Sequence, residues 1–389
     1  MVDSLFLTPH YLANPYPIFA SIRTDTPAYQ TSLPDGTKVY LVTRYADVLA
    51  CLRDARLVKN VHHARADVPP SALMGSNMLF ADPPEHTRLR SLAHEAFTPK
   101  FVNQLRGHIQ AIAEHLLDAV QEQGQMDLVS AYAFPLPVTV ITEMLGVPTA
   151  DAPLFHQWSS ALIASGTLTS DTRAVSPEVA ELMQYLGHLV QRRAQAPQDD
   201  LISAMLRVEQ HGDKFTQAEL ISTAALLLIA GHETTVNLIG NGTLALLQHP
   251  DQLAQLQRDP HLIKPAVEEL LRYVNPVQFV NRFASEEMDI GGVQVAQGSR
   301  VLLLVAAANH DPVLTDHPEQ MQLARGNTHH VAFGQGIHYC LGAPLARLEG
   351  EIAFTTLFRR LPHLRLATEH IAWKPSLVLR GLQSLPVTF

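Results

Sequence analysis

Phe333-Gly334-Gln335-Gly336-Ile337-His338-Tyr339-Cys340-Leu341-Gly342 sets three glycines around one cysteine, immediately before a stretch that reads as helix. Glycine permits positive φ and close backbone approach, so these ten residues describe a loop that lies against something flat. A cysteine at a helix N-terminus has its thiolate favoured by the helix dipole and by free N–H groups. An electron-rich thiolate of that kind is what haem iron needs to favour O–O cleavage. For a lone cysteine, the simpler reading is a buried structural residue in a tight turn. The whole ten-residue pattern makes Cys340 a candidate metal ligand, framed by Phe333, Gly334 and Gly342.

The rest of the chain sets bounds on that reading. It has 389 residues, a formal net charge of −9, and 47% hydrophobic against 17% charged residues. High apolar content with modest charge excludes a disordered chain. Two distant cysteines, Cys51 and Cys340, exclude a disulfide scaffold, and Cys51 reads as a small core residue. The N-terminus shows no basic region, apolar run and small-residue cleavage site. The most apolar run, 224–230, is far short of the ~20 residues of a membrane span. An acidic balance argues against nucleic acid. A cytoplasmic protein without a membrane anchor is expected.

Periodicity and punctuation predict a mainly α chain with a minor β region. A strand is expected at 38–43 and a short helix at 45–54. One long helical stretch is expected over 86–123, with further helices at 139–146, 152–165, 177–195 and 201–210. Thr216-Gln-Ala-Glu219 is a capping box, opening a long apolar helix to about 248. Pro265 suits the first turn of a helix that runs to 273. Segments 290–295 and 299–304 read as strands joined by glycine turns. A structureless stretch over 309–336 precedes a last helix, 341–361. No linker or repeat interrupts 1–389, so one large domain is expected.

Several further motifs bear on chemistry. Ala230-Gly-His-Glu-Thr-Thr235 sets polar residues into the apolar helix, where propensity alone prefers Ala or Leu. There Leu226, Ala230 and Thr234 share one face at i, i+4 and i+8. A Thr in a helix ordinarily bonds back to a carbonyl of the preceding turn. Glu269-Leu-Leu-Arg272 puts an acid and a base one turn apart, in isolation a surface pair of little worth. His86 and Arg90 lie in Asp82-Pro-Pro-Glu-His86-Thr-Arg-Leu-Arg90.

These stretches, taken in order, resemble the cytochrome P-450 family of haem-thiolate monooxygenases, in its soluble bacterial form. The resemblance covers most of the chain, down to Arg380-Gly-Leu-Gln-Ser-Leu-Pro-Val387. It implies haem b held between a long distal helix and the proximal Cys340 loop and helix. It implies that Glu233 and Thr234, in a local bulge, relay protons towards the haem. It makes His86, Arg90, Arg282 and His330 partners of the haem propionates, which otherwise could not be buried cheaply. Glu269, Arg272 and Arg325 become a buried charge cluster that holds the cysteine loop. By family position, Leu226, Ile229, Ala230, Val277, Val280 and Leu382 line a substrate pocket. The loop 61–79 roofs it with Leu73, Met78 and Leu79. One departure is the stretch between Pro312 and Pro318, which lacks the aromatic residue common there.

The implied activity is insertion of one oxygen atom of O2 into an apolar lipid, terpene, steroid or macrolide-like substrate. Electrons would come from NAD(P)H through a ferredoxin and its reductase, since no flavin or iron–sulfur segment is attached. Segment 85–110 carries Arg88, Arg90, Lys100 and Arg106 against Glu85 and Glu95, a local positive patch suited to an acidic ferredoxin. A monomer is expected. A peroxide-driven enzyme and a gas-binding haem protein are the rivals, and the Glu233–Thr234 pair argues against both. A zinc hydrolase fails on its own motif: with 20 His available, the position four after His232 is Val236. His338 and Cys340 lack the second Cys pair that a zinc site would need.

Overall fold

The computed structural model describes residues 6–65, 77–151, 154, 155, 158, 177–209, 212–326 and 329–389. Helices α1 (Pro9–Ala13) and α2 (Tyr16–Asp25) lead to α3 (Tyr45–Arg53). Then come α4 (Glu85–Ala96), α5 (Pro99–Gln104), α6 (Arg106–Asp118) and α7 (Pro135–Met144). They are followed by α8 (Pro177–Gln195), α9 (Leu201–Arg207) and α10 (Gln217–Gln248). The last are α11 (Pro250–Arg258), α12 (Ile263–Val274), the short α13 (Val305–Ala308) and α14 (Ala343–Arg360).

The stretch expected as one helix over 86–123 is three helices and a turn. Pro99 brings no N–H to continue α4 and sits instead at the start of α5. The Thr98 hydroxyl caps that start, accepting from the Phe101 amide at 3.2 Å. The α7 helix begins at Pro135, earlier than expected. The helix expected over 152–165 lies almost wholly outside the described residues. Both halves of the capping box at the start of α10 are formed: Glu219 N to Thr216 Oγ1 is 3.3 Å and Thr216 N to Glu219 Oε2 is 2.8 Å.

The long α10 runs through the middle of the main apolar core, packed against α7, α8, α12 and α14. Gly242 lets α14 come close: a Cβ there would stand 2.6 Å from the Phe354 ring.

The strands are short. They are β1 (Ala28–Ser32), β2 (Lys38–Val42), β3 (Leu57–Val58), β4 (Gln125–Asp127) and β5 (Val280–Ala284), then β6 (Met288–Ile290), β7 (Val293–Val295), β8 (Arg300–Leu303), β9 (Arg365–Leu366) and β10 (Pro386–Thr388). Five make one sheet in the order β1-β2-β8-β5-β3, with β2 and β8 parallel. A three-stranded sheet β4-β10-β9 and the hairpin β6-β7 complete the β part. A second apolar cluster packs α3 onto the large sheet, with Cys51 buried inside it. Burial raises the Cys51 thiol to about 12, so it stays protonated and inert. In the antiparallel register Leu57 faces Ala284 and Val58 faces Phe283, which carries Lys59 to a place opposite Arg282.

Among the described residues, no helix is long and apolar enough to cross a membrane.

Candidate active site

The cysteine loop is a tight hairpin of backbone ahead of α14. Cys340 N donates to Phe333 O at 2.9 Å, and Gly334 N to Val331 O at 2.9 Å. Gly334 and Gly336 take φ of 71° and 73°. At Gly336 a Cβ would stand 2.7 Å from the Leu52 carbonyl, so a side chain there would push the loop off α3. Burial raises the Cys340 thiol. The amides of Gly342 and Ala343 and the charges of Arg90 and Arg347 act the other way.

Beside this loop two arginines, a lysine and two histidines converge from separate elements. His86 comes from the first turn of α4 and Arg90 from its second. Arg282 comes from β5, 3% exposed, and Lys59 from just past β3 opposite it. The His86 and His338 rings lie 4.3 Å apart. Burial lowers the pKa of all five, Arg282 to about 10 and His338 to about 2, and neighbouring cations add to this at Lys59, His86 and His338. One carboxylate, Asp82, lies among them. It already accepts from the amides of Lys59 and Asn60 at 2.8 and 3.0 Å and lies 2.8 Å from His63 Nδ1. Neither ring nitrogen of buried His86 has a hydrogen-bond partner. A buried guanidinium at Arg282 beside an orphaned imidazole asks for carboxylates. The propionates of a haem would fit that request, and Cys340 would be the residue beside it able to ligate the iron.

Two of these residues carry no role in the sequence reading. His338 stands within the quoted loop, two residues before Cys340, and its position was the available signal. Lys59 had none, since only the β3–β5 register brings it to Arg282.

His330 is held by protein groups: its Nε2 lies 3.2 Å from Glu268 Oε2 and its Nδ1 accepts from Ala332 N at 3.3 Å.

Arg88 leaves the expected positive patch. It bonds Glu85 and Glu219 and reaches Asp213 at 3.4 Å. Arg90 does approach the cysteine loop, donating to Tyr339 O at 2.6 Å. Arg106 is paired with Glu351 at 3.2 Å.

Glu269, Arg272 and Arg325 meet in one buried cluster. Arg272, 0% exposed, grips Glu269 through Nε and Nη2, both at 2.8 Å. It also donates to the carbonyls of Asn309, Pro318 and Gln320. Arg325 reaches Glu269 Oε1 at 3.2 Å and ties down the carbonyls of Asp316, His317 and Gln320. The irregular chain between α13 and the cysteine loop thus hangs on two guanidinium groups.

On α10 the helix is continuous through 230–235, without the expected bulge. The Thr234 hydroxyl donates to Ala230 O at 3.1 Å. Glu233 is 2% exposed and receives Lys374 Nζ at 2.8 Å and Asn237 Nδ2 at 3.4 Å. Leu227, Ala230 and Thr234 form a stripe that stays accessible in the middle of an otherwise buried helix. Ile229, Val277, Val280 and Leu79 are half-buried, while Leu226 and Met78 are buried. Leu73 lies outside the described residues. Leu382, at 2% exposure, packs beside Gly240 of α10. Among the described residues no group of three His, Cys, Asp or Glu could hold a metal ion.

Known proteins carry the same frame. The family model described as Cytochrome P450 matches residues 138–369. The Vitamin D(3) 25-hydroxylase of Pseudonocardia autotrophica is 44% identical over 384 residues, 96% of this chain and 94% of that protein. The solved structure of the bacillaene polyketide synthase cytochrome P450 PksS of Bacillus subtilis 168 aligns with a TM-score of 0.92 at 38% identity, covering 98% of both chains. That of P450BioI, in complex with an acyl carrier protein ligated to hexadec-9Z-enoic acid, aligns with a TM-score of 0.90 at 40% identity. It covers 98% of this chain and 100% of that one.

Proposed function

Since the chain belongs to the cytochrome P450 family, we propose that it is a haem-thiolate monooxygenase acting on an elongated or polycyclic apolar substrate, with electrons delivered from NAD(P)H by a ferredoxin and its reductase. The observation that carries this reading is the pairing of Cys340, in its amide-lined hairpin, with the carboxylate-seeking cluster of His86, Arg90, Arg282 and His338. When bound, the haem supplies activation of O2 and transfer of one oxygen atom to the substrate. The chain's own residues do the rest. The sulfur of Cys340 is steadied by the amides of Gly342 and Ala343. The cations hold the propionates and so fix the orientation of the ring.

Glu233 and Thr234 serve proton supply. Lys374, its side chain 30% exposed, joins solvent to the buried Glu233 carboxylate at 3%. The Thr234 hydroxyl keeps its proton on Ala230 O until a reacting group competes for it. General acid catalysis by a positioned group contributes about 10²–10⁴-fold.

The substrate class follows from the accessible lining. Leu227, Ala230, Ile229, Leu79, Val277 and Val280 offer apolar surface with Thr234 as the polar handle. The named relatives act in vitamin D and polyketide chemistry, and P450BioI takes a carrier-bound fatty acid, all large and apolar. Exposed Ile337 and Tyr339 on the cysteine loop, with Arg90 behind them, suit the docking of a ferredoxin. The protein would work in the cytoplasm.

The test is a titration of the haem-loaded protein with long-chain fatty acids, sterols and macrolactones, followed by turnover with NAD(P)H, ferredoxin and reductase. Apolar compounds should blue-shift the Soret band and give hydroxylated product. Shifts confined to small hydrophilic ligands, or turnover with peroxide alone, would contradict the reading.

A further inference from the structure

Glu269 is fully used by the buried cluster, yet its neighbour Glu268 meets a different set of partners. The Arg347 guanidinium donates to both of its oxygens, Nε to Oε1 at 2.6 Å and Nη2 to Oε2 at 2.9 Å. His330 Nε2 approaches the same carboxylate at 3.2 Å. The two side chains of the ion pair are 30% and 32% exposed, and pairs at such exposure contribute little to stability. Stability alone therefore gives the fork little purpose.

Its reach supplies one. The Arg347 guanidinium stands over the Phe333 ring, 4.5 Å from the centroid, and its Nη1 is 3.3 Å from Tyr339 Oη. Phe333 O is the acceptor of the Cys340 amide, and Tyr339 directly precedes the cysteine. One guanidinium thus touches both sides of the hairpin that presents the sulfur, and its charge is among those that favour the thiolate. Burial would raise Glu268, but His330 and Arg347 hold it down at about 2, so the pair stays ionised at neutral pH.

We infer that Glu268 and Arg347 are positioning residues that set the electron affinity of the haem held by Cys340. The Arg347 charge, fixed over Phe333 and at Tyr339, favours the reduced state, which carries one more electron. Glu268 holds that charge in place and moderates it. The inference rests on Cys340 being the haem ligand.

Redox titration of the haem-loaded full chain tests it, comparing wild type with Arg347→Gln, Glu268→Gln and the double variant. At a fixed applied potential, Arg347→Gln should lower the reduced-to-oxidised ratio several-fold, and Glu268→Gln should raise it. A tenfold change corresponds to about 59 mV for one electron. The double variant should return towards wild type. Should a variant fail to load haem, Arg347→Lys and Glu268→Asp should shift the ratio with the same signs and smaller size. A purely structural role would move both single variants in one direction or leave both unmoved, and either result overturns the inference. A wild type whose reduced carbon monoxide complex lacks the thiolate band would instead overturn the assignment of Cys340.

Discussion

Glu269, Arg272 and Arg325 form a cluster in which every charge has its answer inside the protein, whereas Lys59, Arg90 and Arg282 gather with the His86 and His338 rings around one already engaged carboxylate, Asp82. The Arg272 guanidinium has five N–H groups, and five acceptors receive from it. His86 has two ring nitrogens and no partner for either. The first cluster is buried, and of the second His86 and Arg282 are. The closed cluster holds protein to protein. In the second, open cluster, burial lowers the pKa of every member and His86 keeps two unpartnered ring nitrogens, which is the setting the proposed haem propionates would suit. On the proposed reading, the contrast separates residues that serve folding from residues that would serve the cofactor, a distinction that burial alone does not make.

Breaking the closed cluster should have the largest effect. Arg272→Ala leaves Glu269 buried with one remaining cation, and removing one partner of a buried pair costs roughly 3–5 kcal/mol. Thermal unfolding should show a large loss of stability with or without haem, and most expressed protein should be insoluble.

The open cluster should respond in the opposite sense. Arg282→Gln removes a cation from a repulsive group, so the haem-free protein should unfold no earlier than wild type. The haem-loaded form should release its haem to a scavenger protein about tenfold faster, a loss of roughly 1.4 kcal/mol of holding energy. Equal destabilisation of both forms would place Arg282 with the closed cluster.

A third group lies between these extremes. Glu349, on α14, is 1% exposed with no cation beside it, and burial, offset a little by the Thr235 hydroxyl, raises its pKa from 4.5 to about 8. The folded state therefore keeps a proton that the unfolded state gives up above pH 4.5. Stability from this group is full below 4.5 and is lost as pH rises towards 8. Between pH 6 and pH 7 the loss should be roughly 1 kcal/mol, from 1.36 kcal/mol per pH unit for one proton. In denaturant titrations at the two pH values, Glu349→Gln should remove that slope.

How much of this was legible in the sequence depends on whether the signal was local. The α10 helix was readable because its capping box and apolar run lie in one stretch. The hairpin at Cys340 was readable because its glycines flag a tight backbone. The break at Thr98-Pro99 was also local, a cap followed by a proline, and a long helical pattern overrode it. Other features depend on pairing between distant segments. Lys59 meets Arg282 only through the β3–β5 register. That His338 meets the His86 ring while His330 reaches Glu268 depends on contacts between distant segments, which spacing does not report. Arg88 and Arg90 are two apart on one helix, about 200° around the axis, so a count of charges in that segment merged two faces. The short strands β1, β5 and β9 carry too little alternation to register as strands.

The central claim, that the amide-lined hairpin delivers a thiolate to haem iron, is tested most directly by the reduced carbon monoxide difference spectrum of the wild-type protein beside Cys340→His. The wild type should show the strongly red-shifted Soret band of thiolate ligation. The variant, with its open cation cluster intact, should still bind haem but show the unshifted band of a nitrogen ligand. A red-shifted band that survives in Cys340→His, or one absent from the wild type, would contradict the account.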